Sequence, residues 1–281
     1  MKKLGRRKAK ELRFQISIEA ILVILLVLSY IPMLLMLFLS SKTNWEIYND
    51  FFGLPRTFIW SNYTNGFNYL VGNMGNTLLV IFCAVAVVLV LSALNGYVFG
   101  TISFPGKNFL YMLILVLMMI PGSLSLAANY SLIIDYGLLD TRWAVIFPWI
   151  SGGLVIGTIL ARNSVEGLPK ELYEAAKIEG AGHFRLLVSI TVPLIKPILS
   201  TIAIMKIVDY YNDFTWPLLV ISENKKQLVT VILRVFTSVY AASGMGIVYA
   251  GYVIASIPLL ILFSFASRLY MEGMTAGAVK G

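Results

Sequence analysis

Six stretches of the chain are apolar enough, for long enough, to leave water: Ile18–Ser40, Thr77–Phe99, Phe109–Ala128, Trp143–Ala161, Ile198–Ile221 and Ile247–Leu269. A helix crosses the roughly 30 Å hydrocarbon core with about 20 such residues, and it can do so because it satisfies its own backbone polar groups. A seventh stretch, Leu228–Ala242, is short, carries Arg234 and contains several Thr and Ser. It is expected at the interface or packed within the bundle. The composition agrees, because 58% of the 281 residues are hydrophobic and only 13% are charged. Soluble domains average about 45–50% and about 25%. Disordered and ordinary water-soluble classes are thereby excluded, and the expected fold is an all-α, polytopic membrane protein of six transmembrane helices.

Charge orients the spans. Lys2, Lys3, Arg6, Arg7, Lys8, Lys10 and Arg13 crowd the N-terminal tail against Glu11 alone, which by the positive-inside rule holds that end in the cytoplasm. Six spans then return the C-terminus to the same side. Fifteen of the twenty-two Lys and Arg fall inside and six outside, with Lys206 left within a span. The first apolar run is longer than the roughly 7–15 residues of a signal-peptide core and lacks an Ala-x-Ala-like cleavage site, so it is expected to stay as an anchor. The net charge of +8 is then a matter of topology rather than of nucleic-acid binding.

One loop is both long and cytoplasmic on this topology, Arg162 to Pro197. From Lys170 to Glu179 nothing breaks a helix, Pro169 suits its start, and Gly180 and Gly182 supply its stop. At 100° per residue Lys170, Glu171, Glu174 and Lys177 share one arc, while Leu172, Ala175 and Ala176 share the opposite one. Such a helix is either an inert amphipathic linker on the headgroups or a rigid knob that plugs into a soluble partner. In the fifth span Lys206, Asp209 and Asp213 recur at i, i+3 and i+7. A lone mid-span charge costs roughly 2.5–3.5 kcal/mol on insertion scales, so this face is expected either to line a path or to hold a structural Lys206–Asp209 pair. Asp209, Tyr211, Asn212 and Asp213 are its candidate path residues.

Other motifs carry less. Gly100–Asn108 has the wrong spacing for a phosphate-binding loop, with Asn108 where Ser or Thr should follow Lys107. His183 is the only histidine and is expected to be a solvated loop residue. Cys83 is expected to be a small core residue that cannot form an internal disulfide. The Asn62-Tyr63-Thr64 sequon is expected to be accidental. The helical pairs Gly96/Gly100 and Gly153/Gly157 permit close helix packing. No catalytic constellation and no metal-ligand set is legible.

Glu174-Ala175-Ala176, followed by Gly180-Ala181, Ile190 and Pro193, resembles the EAA loop of ABC importer permeases, and its flanks Leu168–Leu172 and Pro193–Pro197 agree. Glu179 stands where that family commonly has Asp, and Leu187 where an aromatic is frequent. Asn76-Thr77-Leu78, Phe104–Lys107, Gly137–Thr141, Asn212-Asp213-Phe214 with Trp216-Pro217, and the tail Gly273–Gly281 resemble the carbohydrate branch, the tail in particular that of the maltose-type second permease. The resemblance implies a type I-like importer fold, with a basic tail (1–17), a first span and outer loop (18–76), a core transmembrane domain (77–270) enclosing the coupling loop (162–197), and a C-terminal tail (271–281). It implies carbohydrate uptake through a path shared with a homologous permease. Two ATP-binding subunits would hydrolyse ATP with Mg, and an extracytoplasmic sugar-binding protein would deliver substrate. This chain itself would hold no cofactor and catalyse nothing. Glu174, Ala175, Ala176, Glu179, Gly180 and Ala181 would dock the ATPase, and Gly277, Lys280 and Gly281 would reach it from the tail. The implied location is the bacterial plasma membrane. The alternative is an ion-coupled secondary transporter using the fifth-span charges, although no internal repeat of the kind many such folds carry is evident.

Overall fold

A computed structural model describes residues 2–278, with side chains described from 14 to 266, and every regular element among them is helical. Four helices are continuous and long enough to cross a membrane: α1 (Lys2–Ser40), α3 (Trp60–Thr101), α6 (Trp143–Glu166) and α13 (Met245–Ala278). Two further crossings are bent pairs, so up to six spans result when each pair counts as one. A multi-pass membrane protein is the outcome. The third and fifth stretches are bent pairs rather than continuous helices.

The third stretch divides into α4 (Lys107–Met119) and α5 (Gly122–Asp135), which meet at 102°. Pro121 is the cause. It lacks an amide hydrogen, and it drives Ile120 into the extended conformation observed there, φ −79° and ψ 119°. The fifth divides twice. Helix α7 (Lys170–Ile178) and the turn α8 (His183–Arg185) precede a π-helical segment, Leu186–Thr191, which runs through α9 (Val192–Leu194). The stretch His183–Leu194 meets α10 (Lys196–Asn212) at 74°. Beyond Asn212 the backbone extends at Asp213 (ψ 115°), and Pro217 lies in the short α11 (Thr215–Val220). Helix α3 begins at Trp60, seventeen residues before the expected span, and no proline between Trp60 and Asn76 interrupts it, while Gly66, Gly72 and Gly75 are carried within it. The short α12 (Val229–Tyr240) has twelve residues, too few to cross, and buries Val229, Val231, Ile232 and Phe236 on one side.

The chain divides into two compact units, residues 1–69 with 235–254, and residues 70–234 with 255–281. In the first, α1 is exposed from Phe14 to Leu34, as lipid-facing surface is, and becomes buried only at Leu39 and Ser40. The short α2 (Asn44–Asn49) starts with a capping box, Thr43 and Glu46 each satisfying the other's backbone amide. The backbone amides of Thr43 and Arg56 hold the Glu46 carboxyl below the usual carboxylate range. Buried Lys42 donates from Nζ to the carbonyls of Asp50 (2.6 Å) and Phe51 (3.2 Å). The Asn62 side-chain amide is buried and donates to the carbonyls of Ser40 and Lys42, so this sequon asparagine is a structural brace.

In the second unit α6 lies against α3 through the glycine pairs. A Cβ on Gly96 would strike Ala161 and one on Gly100 would strike Val165, while Gly153 and Gly157 admit Val88 and Ser92. The largest apolar cluster draws Val80, Ile81 and Ala84 of α3, Trp149 of α6, Tyr210 and Tyr211 of α10 and Trp216 of α11. Cys83 packs against it. The segment Gly100–Asn108 is a turn between two helices, with Gly106 at φ 81°, and has no strand before it.

Candidate functional site

In the candidate docking loop, α7 begins after Pro169, whose φ of −59° suits the entry to a helix, and is stopped by Gly180, whose φ of 81° is disfavoured for any residue with a side chain. Tyr173 is buried and anchors α7. It packs with Tyr97 of α3 and with Leu186, and Ala176 and Ala181 lie partly buried against the same cluster. Glu174, Ala175, Glu179 and Gly180 are exposed. The expected small-residue arc is therefore split: Ala176 turns inward, while Ala175 and Leu172 stay outside. Alongside them Ile178 is 88% exposed and Phe184 79%. An apolar pair that open, beside Glu174 and Glu179, gives the loop a mixed surface suited to a protein partner.

Two hydrogen bonds tie this loop to the spans. The Tyr173 hydroxyl lies 3.1 Å from Thr191 Oγ1, and Thr191 Oγ1 donates to the Leu186 carbonyl at 3.0 Å, inside the π-helical segment. That hydroxyl satisfies a carbonyl where the helix is overwide. The Tyr97 hydroxyl lies 2.7 Å from His183 Nδ1, so the exposed histidine is also tied to α3. Burial raises the Tyr173 phenol above its ordinary value, so it stays a neutral donor. Tyr97, Tyr173 and Thr191 escape sequence reasoning because a lone aromatic or threonine in a greasy chain carries no motif.

The fifth-span residues separate into two groups. Lys206 Nζ and Asp209 Oδ2 form an i, i+3 ion pair at 2.9 Å, with the Lys206 side chain 13% and the Asp209 side chain 57% exposed. Exposed Asn212 donates to the Val208 carbonyl at 2.9 Å. Tyr211 is buried and donates to the carbonyl of Ala255 at 2.5 Å. Asp213 caps α10 and accepts from Trp149 Nε1 at 2.8 Å and from the Trp216 amide at 3.2 Å. Tyr210 donates to the Trp149 carbonyl while its ring stacks on the Trp149 indole, 4.5 Å between centroids. Tyr211 and Asp213 are thus braces, and Asp209 and Asn212 remain on the surface. Gly277 lies near the end of α13, while Lys280 and Gly281 lie outside the described residues. Among the described residues no group of three or more His, Cys, Asp and Glu is placed to hold a metal ion.

The family described as "Binding-protein-dependent transport system inner membrane component" matches residues 95–274, which include the whole docking loop and α10. The arabinooligosaccharides transport system permease protein AraQ of Halalkalibacterium halodurans is 33% identical over 207 residues, 74% of this chain and 73% of that protein. The maltodextrin transport system permease protein MdxG of Bacillus subtilis is 30% identical over 73% of this chain and 74% of its own length. The diacetylchitobiose uptake system permease protein NgcG of Streptomyces coelicolor is 27% identical over 99% of this chain and 93% of its own. In fold, a chain from the crystal structure of a bacterial ABC transporter that imports the acidic polysaccharide alginate superposes with a TM-score of 0.76 at 21% identity. The match covers 91% of this chain and 95% of that one.

Proposed function

This chain belongs to the family of binding-protein-dependent transport system inner membrane components, and on that premise we propose that it is a permease subunit of a carbohydrate ABC importer. It forms the sugar path together with a homologous permease. It is a transporter component and not a catalyst. Two ATP-binding subunits, each using ATP and Mg, supply the work, and a sugar-binding protein on the outer side delivers the substrate. The location is the bacterial plasma membrane, with both termini in the cytoplasm.

The observation that carries this reading is the α7 loop. Its outer surface presents Glu174, Ala175, Glu179 and Gly180 beside open Ile178 and Phe184, while its inner side is bolted to α3 through Tyr97, Tyr173 and His183. A knob so joined moves with the spans rather than independently of them. Closure of an ATPase dimer that grips the knob would therefore shift the equilibrium between the two openings of the path. Ala176 and Ala181 hold the knob's base, and Gly277, Lys280 and Gly281 of the tail are proposed to reach the same ATPase.

The α10 surface contributes Asp209 and Asn212 to the path or to the seam with the partner permease, since an ion pair open on a span needs protein or water beside it. Tyr211 and Asp213 shape that surface from behind. Ion coupling is not favoured, because Lys206 and Asp209 neutralise each other and Asp213 is engaged with Trp149 and Trp216.

The test is affinity capture of the tagged chain from gently solubilised native membranes, with copurifying proteins identified by mass spectrometry. A second multi-span permease and an ATP-binding protein are the expected companions. Repeated recovery of the chain alone, with uptake intact and independent of ATP, would overturn the proposal.

A further inference from the structure

Cations on the outer side of a membrane protein oppose the charge asymmetry that orients it, so each invites a reason. Six are expected there: Lys42, Arg56, Arg142, Lys225, Lys226 and Arg234. Four have partners within the chain. Lys42 is bound by two carbonyls, Arg56 lies over the Trp45 ring at 5.6 Å, Lys226 pairs with Glu223 at 2.7 Å, and Arg234 is engaged. Arg142 and Lys225 have neither an acidic nor an aromatic partner among the described residues. Both line one recess of about 330 Å³.

The recess is built rather than incidental. Its floor is α3, where Gly72 and Gly75 leave open space, since nothing stands within 4 Å of a Cβ added at either. Two buried asparagines frame it. Asn73 donates to the carbonyls of Asn224 (2.8 Å) and Gln227 (2.9 Å), and Asn76 donates to that of Lys226, so the strand of chain carrying Lys225 is pinned. Asn76 also accepts from Arg142 Nε at 2.5 Å. With Nε held, the guanidinium is fixed in orientation and its two Nη groups remain as a fork. A planar fork of two N–H donors matches a carboxylate. The nearby acids are spent: Glu223 on Lys226, and Asp140 on the amides of Ser222 (2.6 Å) and Glu223 (3.1 Å).

We propose that this recess takes an Asp or Glu side chain of the extracytoplasmic binding protein, with Arg142 as the fork and Lys225 completing the charge. The inference rests on the importer reading above. The sugars named for the three relatives similar in sequence, arabino-oligosaccharides, maltodextrin and diacetylchitobiose, carry no charge for such a pair to recognise, unlike the alginate named for the fold neighbour at 21% identity. A docking protein does, and uncompensated cations at a docking surface steer encounter and set register.

The experiment reconstitutes the whole complex in phosphatidylcholine vesicles, with and without phosphatidylglycerol, and follows ATP hydrolysis against the concentration of the binding protein, at low and high salt. Arg142→Gln and Lys225→Gln are each expected to raise the half-saturating concentration about fivefold, to leave the maximal rate unchanged and to flatten its salt dependence. Lys225 makes no hydrogen bond or ion pair among the described residues, so its substitution leaves the fold intact. Unchanged half-saturation in the Lys225→Gln complex would overturn the proposal, as would a loss of maximal rate alone. A defect confined to vesicles containing phosphatidylglycerol would assign the recess to a lipid phosphate and overturn it too. Absence of any stimulation by the binding protein in the unsubstituted complex would instead overturn the importer reading.

Discussion

Asp140 adopts φ 58°, a left-handed conformation that Asp and Asn tolerate better than other side-chain-bearing residues. From there its carboxylate accepts the amides of Ser222 and Glu223, and those bonds hold its pKa below the usual carboxylate range. A pKa lowered in the folded state means the bonds contribute fully above the ordinary Asp value of about 3.9 and are lost as pH falls through the lower folded value. Asp140→Asn keeps the backbone conformation but weakens the acceptor. The Ser222 and Glu223 amides are expected to exchange with deuterium several times faster in that variant at pH 7, after correction for intrinsic rates. The difference should shrink only as pH falls below the ordinary Asp value of about 3.9 and through the lower folded value, where the native carboxyl itself takes up a proton. Equal protection at all pH values would show that the carboxylate charge is not what holds the loop.

At the scale of elements, helix contact rests on small residues and helix breaks rest on proline. Glycines at 96, 100, 153 and 157 let α3 and α6 approach until side chains of one meet backbone of the other. Gly157→Leu places a branched side chain against Ser92 and Val88, where even an added Cβ would strike the Ser92 side chain. Overpacking of this kind costs about 1–3 kcal/mol, and the expected result is a clear fall in thermal unfolding temperature in detergent, with insertion into the membrane unaffected. Gly152, one residue from the contact, has nothing within 4 Å of an added Cβ. Gly152→Ala is expected not to lower the temperature, since alanine favours a helix over glycine, and an equal fall in both variants would show that the close contact at Gly157 is not the cause.

For the whole molecule, the proposed function depends on transmission from a soluble ATPase to buried helices. The outer side of α7 is the proposed grip. Glu174→Lys reverses its charge without touching the anchoring side, where Tyr173 is buried and Glu174 is exposed. The expected outcome is at least a tenfold loss of copurifying ATPase with normal membrane insertion. Undiminished copurification would remove Glu174 from the contact. The link from knob to span runs through Tyr173, Thr191 and the π-helical segment, together with Tyr97 and His183. These carry rigidity from the loop into α3 and toward α10 because each is a short bond between elements already packed.

Much of this protein was legible in residue order. Apolar run length specified that the chain leaves water, and Pro169 and Gly180 bounded the docking helix to within a residue, because helix starts and stops are local chemistry. Glycine spacing specified close helix contact, since spacing of four along a helix is a property of the helix alone. Which residues serve a surface and which serve the core was decided only by the fold. Asp209 and Asp213 sit four apart and read as one face, yet α10 ends between them and Asp213 turns to meet Trp149, sixty-four residues earlier. The 102° and 74° bends likewise needed tertiary structure: a proline permits a break, and the packing around it sets the angle. The recess of Arg142 and Lys225 unites residues up to 153 positions apart, from Gly72 to Lys225, and no periodicity within one segment can report a meeting between segments.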